Sequence, residues 1–174
     1  DEHDLGELFG GRDFPAVKGL CEATQFLQAE GNKLQLEALR VNPAADGYCL
    51  HAYTGGDWVL GAGLIDLFRN PKGSYRGTQE ANQPRCLALR VRPRNVYAAQ
   101  GAQITITGIN DLDDVAGTLA VDVVSADGTS VFRTEKEARL ASGISSLLGE
   151  KLNAEELAGA YTVRARLTGS DGSV

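Results

Sequence analysis

One short apolar run limits what the first half of this chain can fold into. Residues Tyr48 to Tyr53 carry no acidic or basic side chain other than His51 and are bounded by Asp46-Gly47 and Gly55-Gly56. Such a run is typical of a strand in a parallel sheet whose two faces are both covered by helices. The loop after it carries Trp58, the only tryptophan of the chain. We therefore predict a buried strand with a candidate site at its carboxyl end, where α/β barrels place their sites.

Residues 14–41 show the clearest helical pattern. Asp13 is the predicted N-cap, Pro15 suits the first turn, and Asn42-Pro43 ends the helix. Gly31 interrupts the apolar face, which predicts close packing against a neighbouring element. The face itself repeats at spacings of three and four residues through Val17, Leu20, Cys21, Thr24, Leu27, Gly31, Leu34, Ala38 and Val41.

The stretch around the apolar run resembles a known family. Gly47-Tyr48, Thr54 and Trp58 are spaced as GY-x5-T-x3-W, and residues 63–72 read GLIDLFRNPK. This pattern resembles the last strand and loop of the catalytic barrel in glycoside hydrolase family 2, which includes β-galactosidase, β-glucuronidase and β-mannosidase-like enzymes. The resemblance implies that residues 14–41 form the helix between barrel strands seven and eight. It also implies that Tyr75 to Ala81 form the short final barrel helix.

The resemblance implies a substrate-binding role for Trp58, His51 and Tyr53. In related enzymes a tryptophan after the eighth strand forms the floor of the sugar site, and a flat aromatic ring suits the C–H face of a pyranose. The alternative interpretation is that Trp58 is a packing residue and that His51 and Tyr53 are hydrogen-bonded core groups. The family has an acid at the positions of Gly55 and Val59. The absence of these acids counts against family-like substrate recognition and activity in the parent protein.

Residues 1–13 are acidic and rich in turn formers, and we expect a loop there with at most a short helical turn. A glycosidase needs two carboxylates, roughly 5 Å apart when the configuration is retained. In the family the nucleophilic glutamate ends the seventh strand, usually within a sequence similar to S-E-F-G. The sequence GELFGG around Glu7 partly matches it. Glu7 is thus a candidate nucleophile, with a solvated loop carboxylate as the alternative. We expect the true nucleophile and acid/base upstream of this chain.

The second half changes character at residue 84. Short strand-like segments alternate with turns, and Asp127-Gly128 between apolar runs predicts a hairpin. Residues 153–157 resemble a capping box with one helical turn. Tyr161 resembles the corner tyrosine of immunoglobulin-like folds, and short strands at regular spacing indicate an antiparallel sandwich. The predicted strands are residues 86–92, 102–109, 118–124, 130–133 and 159–167.

The predicted fold is therefore an α+β fragment. Residues 1–83 are expected to form the C-terminal part of a (β/α)8 barrel, as helix, strand, loop and helix. Residues 84–174 are expected to form an immunoglobulin-like β-sandwich without its last strand. The 174 residues and the absence of methionine lead us to interpret the chain as an excised piece, since a complete barrel needs roughly 250 residues.

Composition excludes several function classes. A net charge of −6 and a pI near 4.9 disfavour nucleic acid, because there is no basic stripe to neutralise phosphates. No apolar run is long enough for a membrane span. The three cysteines are odd in number and far apart, which predicts free buried thiols. No CxxC or HExxH spacing suggests a metal, and no cofactor is expected. The sequence favours no particular cellular compartment.

These observations favour a fragment of a family 2-like glycoside hydrolase. The parent would cleave β-glycosidic bonds with retention, and the fragment alone would be inactive. Its expected partners are a carbohydrate substrate and the rest of the parent chain, with a homodimer as a further option. The alternative is a non-catalytic carbohydrate-binding or structural immunoglobulin-like module. The carbohydrate-binding version is the weaker one, because the second half lacks the row of exposed aromatic residues that a sugar platform needs.

Overall fold

A computed structural model describes residues 2–9, 17–55, 62–97, 100–153 and 158–170. The chain divides into two compact units, Asp1–Gln83 and Pro84–Val174. The first is helical and the second is built from antiparallel strands, so the chain is α+β. None of the helices within these ranges is long and apolar enough to cross a membrane.

The described residues of the first unit contain three helices, α1 (Glu2–Phe9), α2 (Val17–Arg40) and α3 (Gly73–Ala81). Helices α2 and α3 pack closely because two glycines of α3 face the backbone of α2. A Cβ atom added at Gly77 would lie 2.3 Å from the carbonyl oxygen of Ala29. Arg40 then fixes the end of α3, since its Nη1 donates to the carbonyl oxygens of Ala81 at 2.6 Å and of Gln83 at 2.8 Å.

The helices differ from the sequence-based predictions in three respects. Residues 2–9 form a helix where a loop was expected. The face of α2 that packs in this unit carries Ala29 and the buried Leu36, whereas Leu27 on the predicted face is 65% exposed. Gly31 has no atom within 4 Å of an added Cβ, so the prediction of close packing there is wrong. The predicted N-cap Asp13 and Pro15 lie outside the described residues.

The prediction of a buried strand over residues 48–53 is also wrong in this structure. The segment forms no strand among the described residues. Its last residue, Tyr53, accepts backbone hydrogen bonds from Leu64 and Ile65, and the next residue, Thr54, forms an isolated parallel bridge with Ile65. Tyr48, Leu50 and Tyr53 are exposed. A strand covered on both faces needs neighbouring strands and helices, and the described part of this unit provides no strand beside the segment. The thiols of Cys21 and Cys49, expected to be buried, are free and exposed.

The part of the second unit that the structure describes has six strands in two three-stranded antiparallel sheets, the arrangement of a β-sandwich. The first sheet has the order β1-β2-β5 and the second β4-β3-β6. The core lies between them, where Ile104 and Ile106 of one sheet meet Leu119 and Val121 of the other. The strands are β1 (Arg85–Arg92), β2 (Ala102–Asn110), β3 (Val115–Ser125), β4 (Ser130–Leu140), β5 (Gly143–Leu152) and β6 (Tyr161–Gly169).

Polar groups at the strand ends hold this sandwich in register. The fully buried Asn110 donates through Nδ2 to the carbonyl oxygens of Asp113 at 2.9 Å and of Leu140 at 3.1 Å, which ties β2 to the start of β3 and the end of β4. The predicted hairpin between β3 and β4 forms, with Gly128 at φ +89°. The Tyr161 hydroxyl donates to the carbonyl oxygen of Ala158 at 3.2 Å, which is the geometry of a tyrosine corner. The predicted helical turn at 153–157 falls almost wholly outside the described residues.

Candidate functional site

At the carboxyl end of the predicted strand, two loop segments lie side by side and are joined by hydrogen bonds. They are residues 53–55 and 62–72, which we name the bridged loop. The carbonyl oxygen of Tyr53 accepts from the backbone N–H groups of Leu64 at 2.8 Å and Ile65 at 3.1 Å. The N–H of Gly55 donates to the carbonyl oxygen of Ile65 at 2.7 Å. These bonds hold the two segments side by side without a regular sheet.

Glycine makes this close approach possible. Gly63 has φ +93°, and a Cβ atom there would lie 2.2 Å from the backbone nitrogen of Gly55. Any other residue would therefore be strained in the backbone and would collide with the facing segment. The buried hydroxyl of Ser74, in the first turn of α3, donates to the carbonyl oxygen of Gly63 at 3.0 Å. The bridged loop is thus anchored to α3.

Asp66 organises the turn that ends the bridged loop. Its Oδ1 accepts from the backbone N–H groups of Phe68 and Asn70, both at 2.8 Å, and its Oδ2 accepts from the Asn70 side chain at 3.0 Å. The hydrogen bond from the Asn70 side chain, followed by that from its backbone, lowers the pKa of Asp66 below its usual value. The carboxylate is therefore a structural acceptor held in its charged form.

Two cations complete the bridged loop. Arg69 has φ 70°, an uncommon conformation for a residue other than glycine, and its Nη1 donates to the Thr54 hydroxyl at 2.9 Å. Lys72 donates through its N–H to the carbonyl oxygen of Leu64 at 2.9 Å and through Nζ to that of Ala62 at 3.3 Å. Arg69 therefore binds the two segments to each other, while these two hydrogen bonds of Lys72 lie within the second segment.

The sequence signal for this arrangement was the four-residue spacing of Asp66 and Asn70, which is typical of an aspartate that caps its own turn. Sequence reasoning noticed these residues but assigned them no role. The contact between Arg69 and Thr54 spans 15 positions and leaves no local pattern, so it could be found only from the structure.

The predicted site residues are distributed as follows. Trp58 lies outside the described residues. Its flanking positions, Gly55 and Ala62, both belong to the bridged loop. His51 is exposed and Tyr53 is 60% exposed. Tyr53 enters the bridged loop through its backbone carbonyl, and no regular strand places the two side chains on one shared face.

Glu7 lies on α1. Its Oε1 is 3.4 Å from Nε2 of His3 one turn earlier, and both side chains are largely exposed. Glu7 therefore has the surroundings of a solvated helix carboxylate. Across the part of the chain that the structure describes, no group of three or more histidine, cysteine, aspartate or glutamate side chains could hold a metal ion.

Comparison with known proteins gives matches in structure only. No known family profile matches the chain, and no curated protein sequence does. Among solved structures, the exo-β-D-glucosaminidase CsxA matches at a TM-score of 0.69 and 18% identity over 97% of this chain. A further structure of CsxA, described as the exo-chitosanase of Amycolatopsis orientalis, matches at 0.68 and 18% over 97%. The β-D-mannosidase of Dictyoglomus thermophilum matches at 0.62 and 17% over 83%.

These matches confirm the resemblance to glycoside hydrolase family 2 at the level of the fold, since the neighbours are members of that family. The chain covers 20% of the first structure, 19% of the second and 17% of the third. It therefore spans about a fifth of the length of the enzymes whose fold it shares. CsxA has also been solved in complex with a p-nitrophenyl β-D-glucosamine substrate.

Proposed function

We propose that this chain is a section of a family 2-like glycoside hydrolase that cleaves β-glycosidic bonds with retention of configuration. The observation that carries the proposal is the shared fold with an exo-β-D-glucosaminidase over 97% of the chain, which includes residues of both units. In this proposal residues 1–83 are the C-terminal part of the (β/α)8 barrel, with α2 as the helix before the last strand and α3 as the final helix.

Residues 84–174 are, in the same proposal, the immunoglobulin-like domain that follows the barrel. The strand orders β1-β2-β5 and β4-β3-β6 support it, because immunoglobulin sandwiches also place the first, second and fifth strands in one sheet and the third and sixth in the other. The fourth strand departs from the constant-type order, since β4 pairs with β3 and not with β5. The hydrogen bond from Tyr161 to Ala158 supports it further. The last strand of such a domain would extend the second sheet beyond β6.

The contribution of this chain to catalysis would be to present Trp58. The described residues on either side of positions 56–61 are both hydrogen-bonded within the bridged loop, Gly55 through its N–H to the carbonyl oxygen of Ile65 and Ala62 through its carbonyl oxygen to Nζ of Lys72. Trp58 would supply the apolar floor of the sugar subsite, with His51 and Tyr53 as neighbouring contacts.

The acid/base and nucleophilic carboxylates would come from the preceding part of the parent chain. Retention requires two carboxyl groups roughly 5 Å apart, and Glu7 on its exposed helix is paired with His3. We therefore expect this chain alone to hydrolyse no glycoside. The alternative is a binding or structural immunoglobulin-like module, and a parent protein that is folded but inert on every sugar would favour it.

The test is hydrolysis of a panel of p-nitrophenyl β-glycosides, β-D-glucosaminide and β-D-mannoside included, by the full-length parent and its Trp58→Ala variant. We expect activity on one sugar and a fall in kcat/KM of at least about tenfold in the variant, since one stacked ring contributes on the order of 1.5 kcal/mol. Phe68→Ala is the matched control, because Phe68 is an aromatic residue of the bridged loop that is 84% exposed. Equal losses in both variants would remove Trp58 from the site.

A further inference from the structure

Three aspartate–glycine steps occur in the chain, at Asp46-Gly47, Asp127-Gly128 and Asp171-Gly172. The third lies outside the described residues. A glycine after an aspartate has no side chain to shield its backbone nitrogen, so this nitrogen can attack the carboxyl carbon of the aspartate. In a folded protein the attack requires that both groups are free to approach each other. The two described steps differ in this freedom.

The step at Asp46-Gly47 is exposed and lies in irregular chain. Among the described residues, none forms a hydrogen bond or ion pair with Asp46 or with the N–H of Gly47. A Cβ atom added at Gly47 would meet no atom within 4 Å outside its chain neighbours, and φ at Gly47 lies outside the left-handed region. The Asp46 carboxyl group and the Gly47 nitrogen are therefore free to rotate towards each other.

The chain is held on both sides of this step. Before it, the backbone N–H of Ala45 donates to the carbonyl oxygen of Asn42 at 3.0 Å, and that of Ala44 donates to Oδ1 of Asn42 at 3.1 Å. After it, the Tyr48 hydroxyl donates to Oδ1 of Asn82, the C-cap residue of α3. The freedom to rotate is thus local to the two residues between these anchors.

The step at Asp127-Gly128 is held by hydrogen bonds at both reacting groups. The N–H of Gly128 donates to the carbonyl oxygen of Ser125 at 3.0 Å. The Asp127 carboxylate accepts from the Ser125 hydroxyl and, at 2.9 Å, from the N–H of Thr129. These two bonds, that of Ser125 first, lower the pKa of Asp127 from 3.8 to about 2. The backbone nitrogen attacks the neutral acid far more readily than the carboxylate. Above about pH 4 the lower pKa reduces the neutral fraction of Asp127 by more than about tenfold.

We propose that Asp46-Gly47 is a modification site, at which the folded chain converts Asp46 into isoaspartate while Asp127 keeps its ordinary linkage. The Gly47 nitrogen bonds to the carboxyl carbon of Asp46 and loses its proton, and a carboxyl oxygen leaves as water, which closes a succinimide ring. Water then adds to the former main-chain carbonyl carbon of Asp46, and the bond from that carbon to the Gly47 nitrogen breaks. The water released in the first step balances the water consumed in the second, so no further reactant is needed.

The product changes the main chain and not only a side chain. The link between α2 and Tyr48 gains one main-chain carbon, and the former main-chain carbonyl of Asp46 becomes a carboxylate. The change falls directly before the run from Tyr48 to Tyr53, which the proposed function makes the last strand of the barrel. Isoaspartate is also the group that protein isoaspartate methyltransferases recognise, so the modified chain becomes a substrate for that class of enzyme. None of this chemistry requires glycosidase activity.

Incubation of the folded chain at mildly acidic pH tests the proposal. The chain is then digested with a protease that cleaves before aspartate and not before isoaspartate, and the peptides are identified by mass spectrometry. Peptide left uncleaved at residue 46 should accumulate at least about tenfold faster than peptide left uncleaved at residue 127, as the neutral fractions require. In urea both steps lose their surroundings, and the two rates should become similar. Equal rates in the folded chain, or no isoaspartate at residue 46, would overturn the proposal.

Gly47→Ala tests the attacking nitrogen. Its methyl group meets no described atom and needs no left-handed backbone, so the fold is kept, but it shields the nitrogen and should slow isoaspartate formation at residue 46 severalfold. Gly31→Ala is the matched control, because an added Cβ there also lies in open space, and it should leave the rate unchanged. Equal rates for Gly47→Ala and the unsubstituted chain would contradict the proposed attack.

Methyl transfer locates the modified residue. A protein isoaspartate methyltransferase with labelled S-adenosylmethionine should label the peptide that contains residue 46 in the incubated chain. The Asp46→Glu variant should not be labelled in that peptide, because ring closure from glutamate is slower. Label that persists there in Asp46→Glu would place the modification at another residue and overturn the assignment to Asp46.

Discussion

At the scale of single residues, the bridged loop depends on Gly63. Replacing it with alanine introduces a Cβ 2.2 Å from the Gly55 nitrogen at φ +93°, so either the backbone or the facing segment must move. We expect Gly63→Ala to lower the free energy of unfolding by about 2 kcal/mol, as measured by urea denaturation. Amide exchange at Gly55 and Leu64, whose N–H groups bridge the two segments, should accelerate.

Gly31→Ala is the control for this prediction. Gly31 lies within α2 with open space around an added Cβ, and alanine is the better helix former by about 0.5–1 kcal/mol. The two substitutions add the same methyl group and should change stability in opposite directions. A loss of stability in both variants would show that the close approach at Gly63 is not the cause.

Asp127 in the hairpin between β3 and β4 provides a second residue-scale prediction. The Ser125 hydroxyl, then the backbone N–H of Thr129, donate to its carboxylate and lower its pKa from the ordinary 3.8 to about 2. Because the folded pKa is depressed, the hydrogen bonds stabilise the fold above about pH 4, and this stabilisation is lost as the pH falls towards 2.

An NMR titration of the Asp127 carboxyl carbon measures this shift. Ser125→Ala should raise the pKa of Asp127 towards its ordinary value, because it removes the largest contribution. Ser146→Ala, an exposed serine on β5 in the other sheet, should leave it unchanged. A midpoint near pH 4 in the unsubstituted protein would contradict the hydrogen-bonded geometry.

At the scale of elements, the sequence predicted those whose pattern matches their surroundings. Helix α2 and the strands β1, β2, β3 and β6 follow from periodicity and from turn residues, whereas α3 was expected from the family resemblance. The first residues of β4 were predicted, but its later part was not, because that edge strand exposes Glu135, Lys136 and Glu137 and lacks apolar alternation. Local composition there describes contact with solvent and carries little information about strand pairing.

Strand β5 was missed for a different physical reason. Its register with β2 shifts between Ile106 and Thr107, where Leu148 pairs with Ile106 and Ser146 with Thr107. Leu147 is the extra residue of this bulge, and both Leu147 and Leu148 are buried. Two consecutive inward residues interrupt the period of two on which strand prediction rests. A bulge depends on the partner strand and cannot be inferred from β5 alone.

At the candidate site the sequence predicted a strand that does not form, again because strand formation depends on partners elsewhere in the chain. The run from Tyr48 to Tyr53 has the composition of a strand covered on both faces, but composition states only what surroundings would suit it. In the described part of the first unit no strand lies beside the run, and only its last residue, Tyr53, accepts backbone hydrogen bonds from Leu64 and Ile65. The turn around Asp66 and Asn70, by contrast, forms from contacts four residues apart and needs no distant partner.

At the scale of the whole molecule, each unit has buried residues of its own, Leu36 in the first and Ile106 in the second. Leu36→Ala and Ile106→Ala each leave a cavity that costs about 2–5 kcal/mol. If each unit is stabilised by its own core, each substitution lowers the protection of backbone amides against hydrogen exchange in its own unit only. We expect faster amide exchange over α2 and α3 in the first variant and over β2, β3 and β5 in the second.

Hydrogen exchange measured by NMR distinguishes this from a single cooperative fold, because every amide reports the opening of its own surroundings. Uniform loss of protection across residues 17–170 in both variants would show that the two cores unfold together. Local losses would mean that the sandwich keeps its structure when the helical unit is weakened. In that case each core stabilises its own unit, and the sandwich stays folded whether or not the first unit does.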